Sequence, residues 1–266
     1  MNFLRIGCDP EIFLQDAAGA YISAIGKIGG SKEDPRPLPL GDGFAVQEDN
    51  VALEFNIPAA ESSKDFVASI ALVREFLSKE VNDKGLKFSR ESATLFPWTE
   101  LASPKAMEFG CDPDFNAWTL KRNPRPNPTD KRLRSAGGHV HVGYNFQGAL
   151  NDKVQFIKHM DLYVGVPSML MDNGQLRKEL YGKAGAFRSK PYGVEYRTLS
   201  NYWIFEDRLV DWVWRNTEQA LWAWDRDTVD IDDWGPTIQE AINNNNLDAV
   251  QSLVDHFDLD VQCSTH

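Results

Sequence analysis

The sequence predicts an α+β protein in which helices cover the outer face of a curved, largely antiparallel sheet. Runs with apolar residues at every second position are interspersed with runs of helical period, without the regular strand-helix alternation of a doubly wound fold. The chain has 266 residues, 42% hydrophobic and 25% charged, so it can bury a sizeable core. Its proline and glycine residues are scattered rather than gathered into a linker, so we expect a single domain.

The first half of the chain predicts two hairpins and a helix. The run LRIGCDPEIFLQD is strand-like and ends in a turn at residues 16–19, which makes YISAIGKIGG its hairpin partner. A Pro-rich loop, EDPRPLPLGDG, leads to FAVQEDNVALEFNIP, whose two strand-like pieces meet at Asp49 and Asn50. Ser62 or Ser63 then caps an amphipathic helix that runs to about residue 81. Its apolar side is predicted to hold Phe66, Ile70, Leu72, Val73 and Phe76.

The second half of the chain predicts two further strands, each followed by helix. Residues 138–144 are strand-like, and Asn151 begins a helix that Pro167 should kink or end. The segment VEYRTLSNYW is the last predicted strand. Three helices follow, at residues 206–224, 236–243 and 247–256, and the tryptophans of the first are expected to build the core or an interface.

Composition argues against several classes of protein. No stretch approaches the roughly 18 to 20 apolar residues of a membrane span, and the start, MNFLRIGCDPEIF, has an acidic residue where a signal peptide would be apolar. Cys8, Cys111 and Cys263 are an odd number of cysteines without metal-binding spacing, which indicates reduced thiols and a cytoplasmic location. A net charge of −11 disfavours a general electrostatic grip on nucleic acid.

One segment departs from this acidic balance. Residues 121–134, KRNPRPNPTDKRLR, hold six basic residues against one acidic residue. Such a segment is either a solvated surface loop or a clamp for a polyphosphate or an acidic substrate. The sequence leaves both interpretations open.

Polar residues recur at alternate positions of the predicted strands. Side chains two positions apart in a strand share a face, so such a pair directs two functional groups to one place. The pairs are Asp9 with Glu11, His139 with His141 and Glu195 with Arg197, joined by the single acids Glu54 and Glu48. Each alone also fits a solvated strand edge or a cross-strand pair. Their repetition on one face of four strands predicts a functional site.

The types of residue at this site indicate the ligand. Acids that outnumber histidines favour a hard divalent cation, Mg²⁺ or Mn²⁺, over a closed zinc site, and such ions hold phosphates. The sequence lacks a Walker glycine loop, a Rossmann fingerprint and a Gly-x-Ser-x-Gly elbow. Cys8 beside Asp9 is more typical of a packed thiol than of a nucleophile.

These motifs, in this order, resemble the glutamine synthetase superfamily of carboxylate-amine ligases. The segment His-Val-His-Val-Gly is most similar to the glutamate-cysteine ligase branch. The small phage-type COOH.NH2 ligases also resemble the chain in QEDNVALEFNIP, GCDPDFNAW and YGKAGAFRSKPYGVEYRTLSN. The resemblance covers about residues 5–205 and implies a glutamine synthetase-like catalytic domain, with a C-terminal helical part at about 206–266.

The resemblance also implies a role for each matching residue. The metal ligands would be Asp9, Glu11, Glu48, Glu54, His139 and Glu195. Asp9 stands where a glutamate is more usual, and Glu48 matches at a shorter spacing. Contacts with the nucleotide and its phosphates would come from His141, Arg188, Lys190 and Arg197. Of these, Arg197 would stabilise the transferred phosphoryl group, with Glu195 and Arg188 beside it in the catalytic centre.

The implied chemistry is ATP-dependent amide formation with Mg²⁺ or Mn²⁺. ATP would convert a carboxylate into an acyl phosphate, which a neutral amine attacks. Peptide, amino acid, cell-wall fragment, polyamine or modified nucleobase all stay open as substrates, in the host cytoplasm if a phage encodes the chain. The superfamily often forms rings, which leaves a homo-oligomer open.

Three other functions stay open. A kinase on the same fold would stop at phosphoryl transfer, and a metal-stabilised binding protein would not turn over ATP. A His-x-His hydrolase or oxygenase would need fewer acids. The motif GCDPDF at residues 110–115 nearly repeats GCDPEIF at 7–13, so Asp112 and Asp114 belong either to a turn or to the site, where they would bind the amine.

Overall fold

The computed structural model describes residues 4–107, 114–146, 149–172 and 174–261. It confirms a mixture of helices and antiparallel sheets. The strands are β1 (Arg5–Cys8), β2 (Glu11–Ile12), β3 (Leu14–Asp16), β4 (Tyr21–Ile22), β5 (Arg36–Pro37), β6 (Ala45–Asp49), β7 (Ala52–Asn56), β8 (Leu86–Phe88), β9 (Ala93–Leu95), β10 (Phe115–Asn116), β11 (Lys121–Arg122), β12 (Leu133–Ser135), β13 (Val140–Gly143), β14 (Ala186–Lys190) and β15 (Gly193–Tyr196).

The α-helices are α1 (Ser63–Asp83), α2 (Pro104–Met107), α3 (Leu150–Met160), α4 (Val166–Ser168), α5 (Asp207–Asp225), α6 (Gly235–Asn243) and α7 (Leu247–Phe257). Short 3-10 turns lie at residues 98–101, 175–179 and 201–205.

Two sheets carry most of the predicted site residues. The larger has the strand order β1-β13-β15-β14-β10-β11, and the smaller has the order β2-β7-β6-β5. The predicted first strand is in fact three short strands, because the chain leaves one sheet after Cys8 and enters the next at Glu11. Pro10 lies between the two strands. Because proline has no backbone N–H to donate to a neighbouring strand, it favours an interruption of the sheet at this position. Asp9 and Glu11 therefore lie where the two sheets meet.

The two faces of the larger sheet differ in polarity. Val140, Val142, Val194 and Tyr196 alternate onto one face and are buried in the main hydrophobic core. His141 and Glu195 lie between them in the sequence and so project from the opposite face. The alternation read from the sequence thus separates a packing face from a polar face.

The core is closed by helices α1, α3 and α5. Ser62 is the N-cap of α1, and its Oγ accepts a hydrogen bond from Asp65 N. Phe66 stacks on Trp203 with ring centroids 5.9 Å apart. Of the tryptophans in the predicted helix at 206–224, Trp212 and Trp214 are buried, which confirms a core role for these two, whereas Trp222 is 48% exposed. Leu72 is 43% exposed, so the prediction that it faces the core was wrong. The buried positions are instead spaced for a single stripe, Phe66, Ile70, Val73, Leu77 and Val81.

A prediction for the helix before Pro167 is confirmed, and one for the Pro-rich loop needs correction. The helix beginning at Leu150 passes through a π-helical turn at residues 161–165 and continues to Ser168, one residue beyond Pro167. Pro167 has no backbone N–H, so an α-helical carbonyl one turn before it would lack its partner. The π-helical turn lies at this position and changes the hydrogen-bond pattern there. The Pro-rich loop at residues 33–43 also contains an edge strand, β5, paired with β6.

Within the part of the chain that the structure describes, no helix is both long and apolar enough to cross a membrane.

Candidate active site

Three neighbouring strands place a row of charged side chains across the polar face. His141 on β13 lies directly opposite Glu195 on β15, and Glu195 lies opposite Arg188 on β14. The glycines that precede the histidines are needed for this geometry. A Cβ on Gly137 would overlap the imidazole of His139, and one on Gly138 would overlap Ser200 O and the Trp203 indole.

The first acidic group consists of Asp9, His141 and Glu195, whose ligand atoms lie within 4.8 Å of one another. Asp9 Oδ2 is 3.0 Å from His141 Nε2. Burial would raise the pKa of Asp9, but the charge of His141 and hydrogen bonds from His139 and His141 outweigh it and hold the pKa well below its usual range. The pKa of His141 is raised. Burial would lower it, but the negative charge of Asp9 outweighs the effect of burial. Without a metal the group is thus an ion pair.

His139 adjoins the same carboxylates from the start of the strand. Its Nδ1 is 3.2 Å from Asp9 Oδ1 and 3.8 Å from Glu195 Oε1, and Arg197 Nη1 is 3.3 Å away. Burial, followed by the charge of Arg197, lowers the pKa of His139 to about 4. The ring is therefore neutral near pH 7 and offers a lone pair.

The second acidic group consists of Glu11, Asp49 and Glu54, again with ligand atoms within 4.8 Å. Glu11 and Glu54 are cross-strand partners on β2 and β7, and Glu54 accepts a 2.7 Å hydrogen bond from Gln47 Nε2. Burial and the charge of Asp49 raise the pKa of Glu11 to about 8. Burial and the neighbouring acids, Asp9 first, raise the pKa of Glu54 well above its usual range. This group is strained by like charge and suits a cation.

The structure places Asp49, rather than the predicted Glu48, in the second group. Glu48 Oε1 accepts hydrogen bonds from the backbone of Ile28 and Gly29, at 3.1 and 2.8 Å. Burial is outweighed by these donors, and the pKa of Glu48 is lowered. Adjacent residues of β6 project to opposite faces, so Glu48 and Asp49 cannot both join the cluster from the strand.

A set of cations converges on Glu195. Arg188 Nη1 lies 3.1 Å from Oε1, Lys190 Nζ lies 2.8 Å from Oε2, and Arg197 contacts Oε1 through Nη1. Burial alone would raise the pKa of Glu195, but Arg197 and the other cations lower it to about 2. One carboxylate thus anchors three cations of the types that bind phosphate and carboxylate groups.

Asp114 reaches this cluster from the second GCDPDF motif. Its Oδ2 lies 3.4 Å from Arg197 Nε, while Asp112 lies outside the described residues. The interpretation of this motif as part of the site gains support from that contact.

Both acidic groups open into one cavity of about 550 Å³. Asp9, Glu11, Glu54 and His139 line it from the acidic side, and Arg188, Lys190 and Arg197 line it from the basic side. Of its basic residues, the sequence analysis missed Lys32, Lys105 and Arg177, and it included Arg125 and Arg134 only as members of the basic segment. Arg177 is buried and donates to the carbonyls of Thr198 and Arg197, at 2.9 and 3.3 Å. It therefore fixes the backbone behind the Arg197 guanidinium.

The basic segment at 121–134 divides between structural and cavity-lining residues. Arg134 is buried and donates to Ala106 O at 2.6 Å, and Arg132 pairs with Asp130 at 2.7 Å. Arg125 lines the main cavity and also an adjoining one of about 400 Å³. The segment thus contains a surface ion pair, a buried structural arginine and a cavity-lining arginine, and a role in binding an anion stays a prediction for the last of these.

The donor atoms of the first group fit a divalent metal. Asp9 Oδ1, His141 Nε2 and Glu195 Oε2 are buried and make no hydrogen bond of normal geometry within the part of the chain described, although charged neighbours lie close. Carboxylate oxygens and an imidazole nitrogen at these distances suit Mg²⁺ or Mn²⁺, whose binding would require His141 to lose its proton. The second group supplies oxygen ligands alone.

Comparison with known proteins supports a ligase. Residues 132–215 match the model of the family described as phage phiEco32-like COOH.NH2 ligase-type 2. The matched segment covers less than half of the chain and contains β12 to β15 and the start of α5, including His139, His141, Glu195 and Arg197. No curated protein matches the chain.

Proposed function

We propose that the protein is an ATP-dependent carboxylate-amine ligase of the glutamine synthetase superfamily that forms an amide through an acyl phosphate. The observation that carries this proposal is the single cavity in which two acidic groups face a cluster of cations. Such a cavity can neutralise a triphosphate through metal on one side and bind its transferred phosphoryl group on the other. The partial match to the COOH.NH2 ligase family supports the same reaction class.

The acidic side would hold Mg²⁺ or Mn²⁺. Asp9, Glu195 and the two histidines surround the first position, and Glu11, Asp49 and Glu54 surround the second. When bound, such ions would offset the phosphate charge and polarise the γ-phosphoryl oxygens. Each group joins one buried carboxylate to two half-buried ligands near the sheet junction, so much of its geometry is set before substrate arrives.

The cations would act on the transferred phosphoryl group. Arg197 has its guanidinium oriented by Glu195 and Asp114, and its backbone held by Arg177. Arg188 and Lys190 contact the same glutamate from β14. Donors fixed in this way stabilise charge that develops in a transition state without reorganising.

The reaction follows from the weakness of a carboxylate as an electrophile. One carboxylate oxygen attacks the γ-phosphorus of ATP, the bond from phosphorus to the β,γ-bridging oxygen breaks, and ADP leaves. The lone pair of a neutral amine then attacks the acyl carbon. Phosphate leaves with the carbon–oxygen bond pair, and the amine loses a proton as the amide forms.

A turnover assay tests this proposal. Purified protein is incubated with ATP and Mg²⁺ or Mn²⁺, with pooled carboxylates and pooled amines supplied separately and together. Phosphate release that needs both pools, and that Glu195→Gln abolishes, is the expected result. Phosphate retained on an organic product would identify a kinase instead. Absence of any turnover or nucleotide binding would overturn the proposal in favour of a metal-stabilised binding protein.

A further inference from the structure

A second cleft, of about 600 Å³, lies on the helical side of the molecule. Its walls come from α3, from the chain that follows β13, and from the loop after α5 at residues 225–232. It shares no lining residue with the cavity of the proposed active site. The ligase chemistry proposed above makes no use of it.

The lining of this cleft is strongly acidic. Five aspartates contribute to it, Asp152, Asp225, Asp227, Asp230 and Asp232. Among the described residues, the one cation that forms an ion pair with any of them is Lys158, whose Nζ lies 2.6 Å from Asp232 Oδ1. Most of this negative charge is thus left without an internal counterion.

His159 supplies an independent sign of a ligand. Its side chain lines the cleft, is only 4% exposed, and leaves Nε2 without a hydrogen-bond partner in the described parts of the chain. Nδ1 lies 2.9 Å from Gln155 O, and a carbonyl can only accept, so Nδ1 carries the hydrogen. Burial lowers the pKa of His159. The neutral ring therefore leaves an acceptor at Nε2 beside the carboxylates.

Two aromatic side chains complete the lining. Tyr144 and Trp224 pack edge to face with ring centroids 6.1 Å apart, and both contribute to the cleft wall. Aromatic faces attract alkylammonium groups. The carboxylates, the imidazole lone pair and the ring faces of this cleft all suit an N–H donor that carries positive charge.

We propose that this cleft binds an organic polycation, in which an ammonium group donates to His159 Nε2 and further ammonium groups pair with the aspartates. The volume suits an extended molecule better than a single ion. No three metal-ligand atoms come within 4.8 Å of one another here in the described structure, unlike in the active-site groups. A free polyamine and a lysine-rich peptide carry the same chemistry.

Spermidine and a short oligolysine peptide are the probes, titrated calorimetrically into the full chain. The variant Asp227→Asn/Asp230→Asn removes two exposed cleft charges, and Asp248→Asn/Asp255→Asn removes two exposed charges from α7 as a matched control. The cleft variant should weaken binding of the probe roughly tenfold, given modest energies for exposed charge pairs. The control variant should bind the probes with the affinity of the wild type. Added salt should weaken the binding of each probe to both proteins.

His159 is tested by NMR of its ring nitrogens and by His159→Phe, with thermal unfolding measured to check its fold. Addition of spermidine or of the peptide should shift the NMR resonance of Nε2. The probe that binds with the higher affinity shows whether the ligand is a free polyamine or a lysine-rich peptide. Equal binding by both double variants would overturn the proposal, as would an Nε2 resonance that responds to Zn²⁺ alone. Binding lost in Glu54→Gln but kept in the cleft variant would place the polyamine in the active site instead. These readouts need no ligase turnover, so they are independent of the proposed function.

Discussion

The hydroxyl oxygen of Tyr192 lies 2.5 Å from Nδ1 of His141, and the two rings stack with centroids 6.0 Å apart. Tyr192 belongs to the turn between β14 and β15, so this turn positions an imidazole on the neighbouring strand β13. In the ion pair with Asp9 both ring nitrogens of His141 carry a hydrogen, and Nδ1 donates to the Tyr192 oxygen. When Nε2 instead binds a metal, the one hydrogen of the neutral ring lies on Nδ1, and Tyr192 accepts it. The contact is therefore an outer-sphere support for a ligand of the first acidic group.

Replacing Tyr192 by phenylalanine should weaken Mn²⁺ binding about tenfold, as loss of an outer-sphere partner commonly does. Tyr192 is 49% exposed, so the substitution should leave the free energy of unfolding nearly unchanged. Calorimetric titration with Mn²⁺ measures the first quantity and urea denaturation the second. Tyr21→Phe, which removes a hydroxyl whose neighbour is Ser89 rather than a residue of the acidic groups, is the control. Unaltered Mn²⁺ affinity would show that the tyrosine plays no part in holding His141.

Arg197→Lys should reduce turnover at least about 100-fold while the protein stays folded. A lysine ammonium can replace the charge but cannot contact Glu195 and Asp114 while directing further N–H groups to a phosphoryl oxygen. Steady-state kinetics under the conditions of the ligase assay give the measurement. Arg208→Lys is matched to it, because Arg208 is an arginine bound to a glutamate, Glu206, at the surface. Similar kinetics for the two variants would remove Arg197 from the proposed phosphoryl contact.

Much of the polar face could be predicted from alternation alone. His141 and Glu195 each lie between buried apolar neighbours on a strand, so their shared face follows from the period of two. The β6–β7 hairpin also follows from its alternation about Asp49 and Asn50.

The remaining site residues depend on information that local patterns do not contain. Choosing Asp49 over Glu48 requires the direction in which the end of β6 projects, and the strand pattern fits either acid. Arg177 lies in a 3-10 turn without periodicity, and its role arises from the carbonyls of Arg197 and Thr198 that fold over it. Arg134 resembles its basic neighbours in sequence, yet its burial against Ala106 is a tertiary contact. In each case the signal is a long-range contact.

Stability without metal should fall as the pH rises from about 5 to 8. The pKa of Glu11 is raised from 4.5 to about 8, so its protonation stabilises the fold fully below 4.5, and this stability is lost as the pH rises through 8. The low pKa of Glu195, about 2, acts in a different range, because its contribution is lost only as the pH falls toward 2.

Metal must displace the proton from Glu11, so Mn²⁺ should raise the melting temperature more at pH 8 than at pH 6. Thermal unfolding in EDTA and in Mn²⁺ across this range provides the measurement. In Glu11→Gln, the dependence of the EDTA sample on pH should flatten. A metal-induced shift of constant size from pH 6 to 8 would mean that Glu11 does not bind the ion.

Arg125 gives the sharpest test of the basic segment, because it lines both the main cavity and the adjoining one. Arg125→Ala should raise KM for ATP or for the carboxylate about tenfold, with a smaller effect on kcat, since the residue is expected to bind an anion away from the reacting atoms. Arg132→Ala removes a guanidinium from the same segment, but one already paired with Asp130 at the surface, so it should leave both constants unchanged. The substrate whose KM changes identifies which anion enters through the adjoining cavity. Equal kinetics for the two variants would show that Arg125 does not bind the anion.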